Sequence, residues 1–365
     1  MPNRSKLLIL TSKTGGGHVS LAEALRDQLE SAYEIKIIDP YSNLIHAHYR
    51  FVSRHALWLW STEFRLTNIS LMSLLVHRIF TQLASKPLNK IMDDFQPDIV
   101  ITTHPFLSYE VQRVLEKCLS NAPLVLVFSD PEVHATWLSE KNAAATFATT
   151  HESYKQALDV GFDPAHLHLV GWPVRKQFYH AYGSKPAEIL THINLDPNRF
   201  TIFLQGGGEG AARIERTLEN VLSTHKGLQV ILAAGTNQAL FERFKDVKNL
   251  YALPFTKEIA PFMAAADIIM GKAGVNVVLE SVTLGKPFIA TSYIPGQEEG
   301  NLGFIERHEL GWVALKPERL YAVIAMLLTR SEQLSSITAK IDTYRQWNYA
   351  ANQKVYGGRT CQDRN

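Results

Sequence analysis

Ile268–Asn301 reads IIMGKAGVNVVLESVTLGKPFIATSYIPGQEEGN, and its punctuation decides the fold. Ile268-Ile269-Met270 is a short apolar run of the kind that forms a strand buried on both faces of a parallel sheet. Gly271 and Gly274 mark a turn, and Val275 to Leu284 then carries apolar residues at helical spacing. Gly285-Lys286-Pro287 stops that helix before a second strand at Phe288-Ile289-Ala290. In open α/β sheets, ligands bind beyond the carboxyl ends of the strands, where helix N-termini offer unpaired N–H groups to phosphate. Glu280, one and a half turns into the helix, is placed to accept two vicinal ribose hydroxyls. Gln297, Glu298 and Asn301 cluster on the loop after the next strand, as a polyol site requires. Phosphate, ribose and sugar in that order point to a nucleotide sugar.

The same theme opens the chain. Lys6 to Thr11 reads as a buried strand, Ser12-Lys13-Thr14-Gly15-Gly16-Gly17-His18 as a loop, and Val19 to Ser31 as a helix. No Gly-Lys-Ser/Thr closes the loop, so it is not a P-loop. A dinucleotide reading is weak, since Ser20 stands where the third glycine belongs and Pro40 follows the acidic candidate Asp39. Glycines alone predict only a tight turn. His18 adds chemistry: at a helix N-terminus the dipole favours the neutral, basic imidazole, which can meet an acceptor hydroxyl. Further strands end at Thr103-His104 and at Phe128-Ser129-Asp130, with His134 and Trp137 close behind. Asp130 reads either as an orienting group for the acceptor or as a helix cap. A second glycine loop, Gln205 to Gly210, precedes a helix from Ala211, so Gly207 and Gly208 can present N–H groups to a diphosphate.

Between the second and third strands lies Tyr41 to Ile91, apolar, aromatic and basic together. Trp58, Trp60, Tyr49, Phe51 and Phe64 interleave with Arg50, Arg54, Arg65 and Arg78, and Glu63 is its sole carboxylate. Rings beside cations suit a headgroup zone, so the stretch reads as a lipid-facing surface. Two helices with core aromatics would give the same composition.

With 365 residues and 46% hydrophobic content the chain suits two ordered domains. A net charge of +2 neither demands nor forbids an anionic partner and gives no sign of nucleic-acid binding. Cys118 and Cys361 have neither metal-like nor disulfide-like spacing, which fits a reducing compartment. The first apolar run, Leu7 to Leu10, is too short for a signal peptide, and no window reaches the roughly 18 apolar residues of a membrane span. The expected place is the cytoplasm, against the inner face of a membrane.

Several motifs, in order, resemble glycosyltransferase family 28, the enzymes that make monogalactosyl- and glucosyl-diacylglycerol. They are Thr14 to His18, the hinge Gly171-Trp172-Pro173-Val174-Arg175, the second glycine loop, Lys272-Ala273-Gly274, Glu280, and Pro295-Gly296-Gln297-Glu298. Where that family has proline-glycine-threonine after the turn, this chain has Val275-Asn276-Val277 and so lacks a hydroxyl donor at Val277. The resemblance implies a GT-B fold, two Rossmann-like α/β domains facing across a cleft, with a C-terminal helix returning to the first. It divides the chain into an acceptor domain (1–172), a donor domain (173–340) and a returning helix and tail (341–365). It implies transfer of a hexose from a UDP-sugar to diacylglycerol, assisted by His18 or Asp130. The acceptor side would use Gly16, Gly17, His134, Trp137, Trp58, Trp60, Arg54 and Arg65. The donor side would use Gly207, Gly208, Phe255 on the base, Lys272, Ala273, Gly274, Glu280 on ribose, and Gln297, Glu298 and Asn301 on the hexose. No carboxylate pair has metal-ligand spacing, so helix dipoles rather than a metal cofactor are expected to meet the leaving charge. The rivals are an N-acetylglucosaminyl transferase acting on a polyprenyl-pyrophosphate precursor, a UDP-sugar epimerase, and a non-catalytic binding protein.

Overall fold

The computed structural model describes residues 4–13, 16–118, 120–205, 211–224 and 227–356. The chain packs as two compact units, one of Met1–Arg175, Pro295–Gln297 and Trp347–Asn365, the other of Lys176–Ile294 and Glu298–Gln346.

The first unit holds a six-stranded sheet of β1 (Lys6–Leu10), β2 (Glu34–Ile38), β3 (Ile99–Thr102), β4 (Leu124–Val127), β5 (Ala145–Ala148) and β6 (Leu167–Leu169), in the order β2-β1-β3-β4-β5-β6. The second holds β7 (Thr201–Gln205), β8 (Gln229–Gly235), β9 (Leu250–Pro254), β10 (Ile268–Lys272), β11 (Phe288–Ser292) and β12 (Gly311–Val313), in the order β12-β11-β10-β7-β8-β9. Every pairing is parallel. Helices cover both faces of such sheets, which is why Leu7 to Leu10 and Ile268 to Met270 are uninterrupted apolar runs, all buried. Each sheet reverses its strand order once, between β1 and β3 in the first unit and between β7 and β10 in the second. Those switch points are where an open sheet offers a crevice to ligand.

After β1 comes α1 (Gly16–Leu29), which begins three residues earlier than the sequence periodicity suggested, so His18 lies inside its first turn. The aromatic-basic stretch forms three helices rather than two: α2 (Asn43–His55), α3 (Leu57–Thr67) and α4 (Ser70–Phe95). Ala84, Leu88 and Met92 of α4 join Leu8, Leu10, Val100 and Leu126 in the core, together with Val111 and Val114 of α5 (Ser108–Lys117). The N-terminal half of α4 has a second apolar side that none of the described residues covers: Leu71, Leu74, Leu75, Ile79 and Leu83 are each 41% exposed or more.

The final helix, Ser331–Tyr356, belongs to the second unit up to Gln346 and to the first from Trp347 onward. In the first unit it grips the chain just beyond β6. Trp172 donates its backbone N–H to Asn348 Oδ1 (2.6 Å) and accepts from Asn348 Nδ2 (2.9 Å), while Asn352 Nδ2 donates to Val170 O (3.2 Å). Gly171 is required there: its φ is +72°, and a Cβ would stand 2.9 Å from Asn348 O.

Candidate active site

His18, Thr103 and His104 meet at the switch point of the first sheet. Nδ1 of His18 lies 2.9 Å from the carbonyl oxygen of Thr103. A carbonyl only accepts, so Nδ1 carries the proton and Nε2 of the neutral ring keeps its lone pair. Burial pulls the His18 pKa down to about 4, with the Thr103 hydrogen bond opposing the shift only partly. The ring of His104 stands edge-on at 4.6 Å; burial and the neighbouring His18 and His46 keep its pKa well below the usual imidazole value. Buried rings this close disfavour one another's protonation, so His18 is a neutral base held in one tautomer. Asp39 fixes the root of the loop by accepting from the backbone N–H of Lys13 (2.7 Å) and of Tyr41 (3.0 Å), and it pairs with His46 at 3.0 Å. The sequence presented Asp39 only as a failed ribose ligand; its role in anchoring the loop emerges from the fold.

Asp130 follows β4, the neighbour of β3. Its Oδ2 accepts from Trp137 Nε1 (3.1 Å) and from Ser129 Oγ (3.5 Å). Loss of solvent raises its pKa to about 6, against the pull of those two donors. Trp137, expected among the acceptor and membrane contacts, is fully buried and acts on Asp130 through its indole N–H. His134 is buried with both nitrogens engaged: Nδ1 accepts from Thr136 N (3.3 Å), and Nε2 donates to Phe64 O (3.0 Å). Its contacts therefore tie the loop to α3. Of the other expected acceptor-side residues, Trp58 is 74% exposed and Arg65 is exposed, while Trp60 is half-buried edge-on to Tyr49. Gly16 and Gly17 form the first turn of α1. The side chain of Arg54 lies outside the described residues, as do Gly207 and Gly208.

In the second unit, Lys272 ends β10 at that sheet's switch point, Ala273 follows, and Gly274 caps the helix Val275–Thr283 without a side-chain hydrogen bond. Strand β10 runs so close to β7 that a Cβ on Gly271 would lie 2.0 Å from Gln205 O. Lys272 Nζ bonds to Glu298 Oε1, and Glu298 Oε2 accepts from the backbone N–H of Ile294 (2.8 Å). Asn301 Nδ2 donates to Ala273 O at 2.8 Å. Glu298 and Asn301 are buried and brace the turn from behind rather than standing out from the loop. Gln297, which packs with the first unit, differs: its Oε1 is buried with no hydrogen-bond partner among the described residues. Glu280 is buried on the helix, and Phe255, just past β9, is 65% exposed. Among the described residues no three His, Cys, Asp or Glu side chains converge as metal ligands, and no helix is long and apolar enough to cross a membrane.

Residues 18–174 match the family model of monogalactosyldiacylglycerol (MGDG) synthase, and residues 201–343 match that of the glycosyltransferase family 28 C-terminal domain. The chain carries a glycosyltransferase family 28 C-terminal domain. The probable monogalactosyldiacylglycerol synthase of Nicotiana tabacum, a chloroplastic protein, is 29% identical across 88% of this chain and 64% of its own length. Monogalactosyldiacylglycerol synthase 3 of Arabidopsis thaliana is 27% identical across 87% of this chain and 73% of its own. The chain thus spans under two thirds of the tobacco protein. Among solved structures, MurG of Acinetobacter baumannii aligns with a TM-score of 0.60 at 16% identity, covering 97% of this chain and 98% of that one. The calicheamicin glycosyltransferase CalG4 aligns with a TM-score of 0.65 at 13% identity, covering 99% and 100%. At such identities these likenesses bear on the fold alone, and the fold is GT-B.

Proposed function

We propose that this protein is a family 28 glycosyltransferase that moves a hexose from a UDP-sugar to the free hydroxyl of diacylglycerol at a membrane surface. The observation that carries the reading is the tautomer of His18. Its Nδ1–H is committed to Thr103 O, so Nε2 is the acceptor for the proton that the attacking hydroxyl must lose. Asp130, whose Oδ1 takes part in neither of the bonds to Oδ2, orients that hydroxyl or shares its proton. On the donor side, backbone N–H groups at the start of Val275–Thr283 and the Lys272 ammonium meet the charge that develops on departing UDP. That reading assigns the leaving charge to protein groups and needs no resident metal. Glu280 takes the ribose, Gln297 offers its orphaned oxygen to the hexose, and Phe255 stacks on the base. The exposed apolar stripe of α4, on an insert with one carboxylate among its basic residues, suits an anionic lipid surface. The names of the curated relatives favour galactose and diacylglycerol among the possible pairs.

The test is transfer from labelled UDP-sugars to diacylglycerol in anionic liposomes, with polyprenyl-pyrophosphate precursor as the competing acceptor. His18→Ala is expected to lower kcat about a thousandfold while UDP still binds. A His18→Ala protein that turns over at the wild-type rate would refute the assignment of the base.

A further inference from the structure

The loop carrying Asp130 is fastened to the apolar helices by a set of buried polar contacts that the transfer reaction does not itself require. His77 of α4 and Glu110 of α5 are both wholly buried, with Nδ1 and Oε1 3.0 Å apart. Burial raises the Glu110 carboxyl, with His77 opposing. The other ring nitrogen of His77 donates to Thr136 O at 3.0 Å. One residue back, the N–H of Ala135 donates to Asn68 Oδ1 at 2.8 Å, and one residue on, Trp137 holds Asp130. Ser73 Oγ adds a bond to Ser139 Oγ at 2.9 Å. The loop is therefore held on both sides of its central peptide by α4 and by the residue that ends α3. The same stretch of α4 that points His77 inward carries Leu74, Leu75 and Ile79 on its exposed side.

A buried ionisable pair adds little stability over apolar residues of the same size, and Glu110 Oε2 has no hydrogen-bond partner among the described residues. Such a pair is better explained by the geometry it enforces. We propose that His77 and Asn68 are positioning residues that set Asp130, through Thr136 and Trp137, in the place from which it meets the acceptor. Displacing a reacting group by about 1 Å can slow a reaction by as much as a hundredfold. The proposal rests on the reading of Asp130 given above.

A kinetic double-mutant cycle separates the two. His77→Gln and Asn68→Ala are each expected to lower kcat about tenfold, with KM for the UDP-sugar unchanged. In an Asp130→Asn background neither should lower kcat further, because the group they position is gone. Losses that multiply in that background would overturn the positioning role, as would single variants that run at full rate. A full-rate Asp130→Asn protein would overturn the reading of Asp130 and this proposal with it. Should His77→Gln fail to fold, Asn68→Ala decides, since Asn68 is exposed at the end of α3 and its loss removes one hydrogen bond.

Discussion

Asp130→Asn should make the protein more stable while making it a worse enzyme, and the size of the gain follows from the structure. An aspartate ordinarily titrates at 3.8; here loss of solvent lifts the value to about 6. The folded state then binds more protons than the unfolded state between those values, so stability is lost as pH rises through that window and stays lost above it. A shift of about two units corresponds to about 3 kcal/mol, and the partial exposure of Asp130 reduces that to about 2 kcal/mol. Asparagine keeps an oxygen for the Trp137 N–H and carries no charge, so it removes the penalty without emptying the position. Thermal unfolding at about pH 8 should show Tm raised by about 4–8 °C. At about pH 4.5, where the native carboxyl is largely protonated, the gain should shrink to less than half. An equal gain at both pH values, or none at about pH 8, would refute the claim that a desolvated carboxylate sits there.

Three further outcomes are expected. The pH profile of kcat should rise through an apparent pKa of about 6 and then level off. Asp130→Asn should abolish that limb, whereas His18, already neutral above about 4, adds none near neutrality. Replacing Leu71, Leu75 and Ile79 together by serine should weaken pelleting with anionic liposomes about a hundredfold, at roughly 1 kcal/mol for each half-exposed side chain, and leave Tm within about 2 °C. Gly271→Ala should destabilise the second unit by about 3 kcal/mol or more, because its Cβ would meet a backbone carbonyl that cannot yield; an unchanged unfolding curve would contradict the close approach of β10 to β7.

Much of the fold was legible because parallel strands buried on both faces write themselves as short apolar runs, and glycine or proline marks where each ends. The strand-turn-helix of Ile268 to Thr283 is such a case, and so are the opening strand and helix, although α1 starts three residues sooner than its periodicity suggested. The insert misled in one respect: composition suggested two helices, and three form. Side-chain commitments were not legible at all. Glu298 and Asn301 read as sugar ligands because a loop of polar residues looks free in a sequence. In the folded unit the two oxygens of Glu298 bond to Lys272 and to the Ile294 N–H, and Asn301 Nδ2 bonds to Ala273 O. Trp137 read as an acceptor-side residue near the strand ends, and in the structure it is the buried donor to Asp130.

From its own order of residues the chain determined two α/β units and where their strands give way to helices, since periodicity and turn chemistry act over a few residues. Only the tertiary structure decided which nitrogen of His18 is basic, why Asp130 holds its proton to about pH 6, and which helices steady its loop. Those properties depend on burial and on partners such as Thr103, lying 85 residues from His18, and only packing of the folded chain brings such groups together.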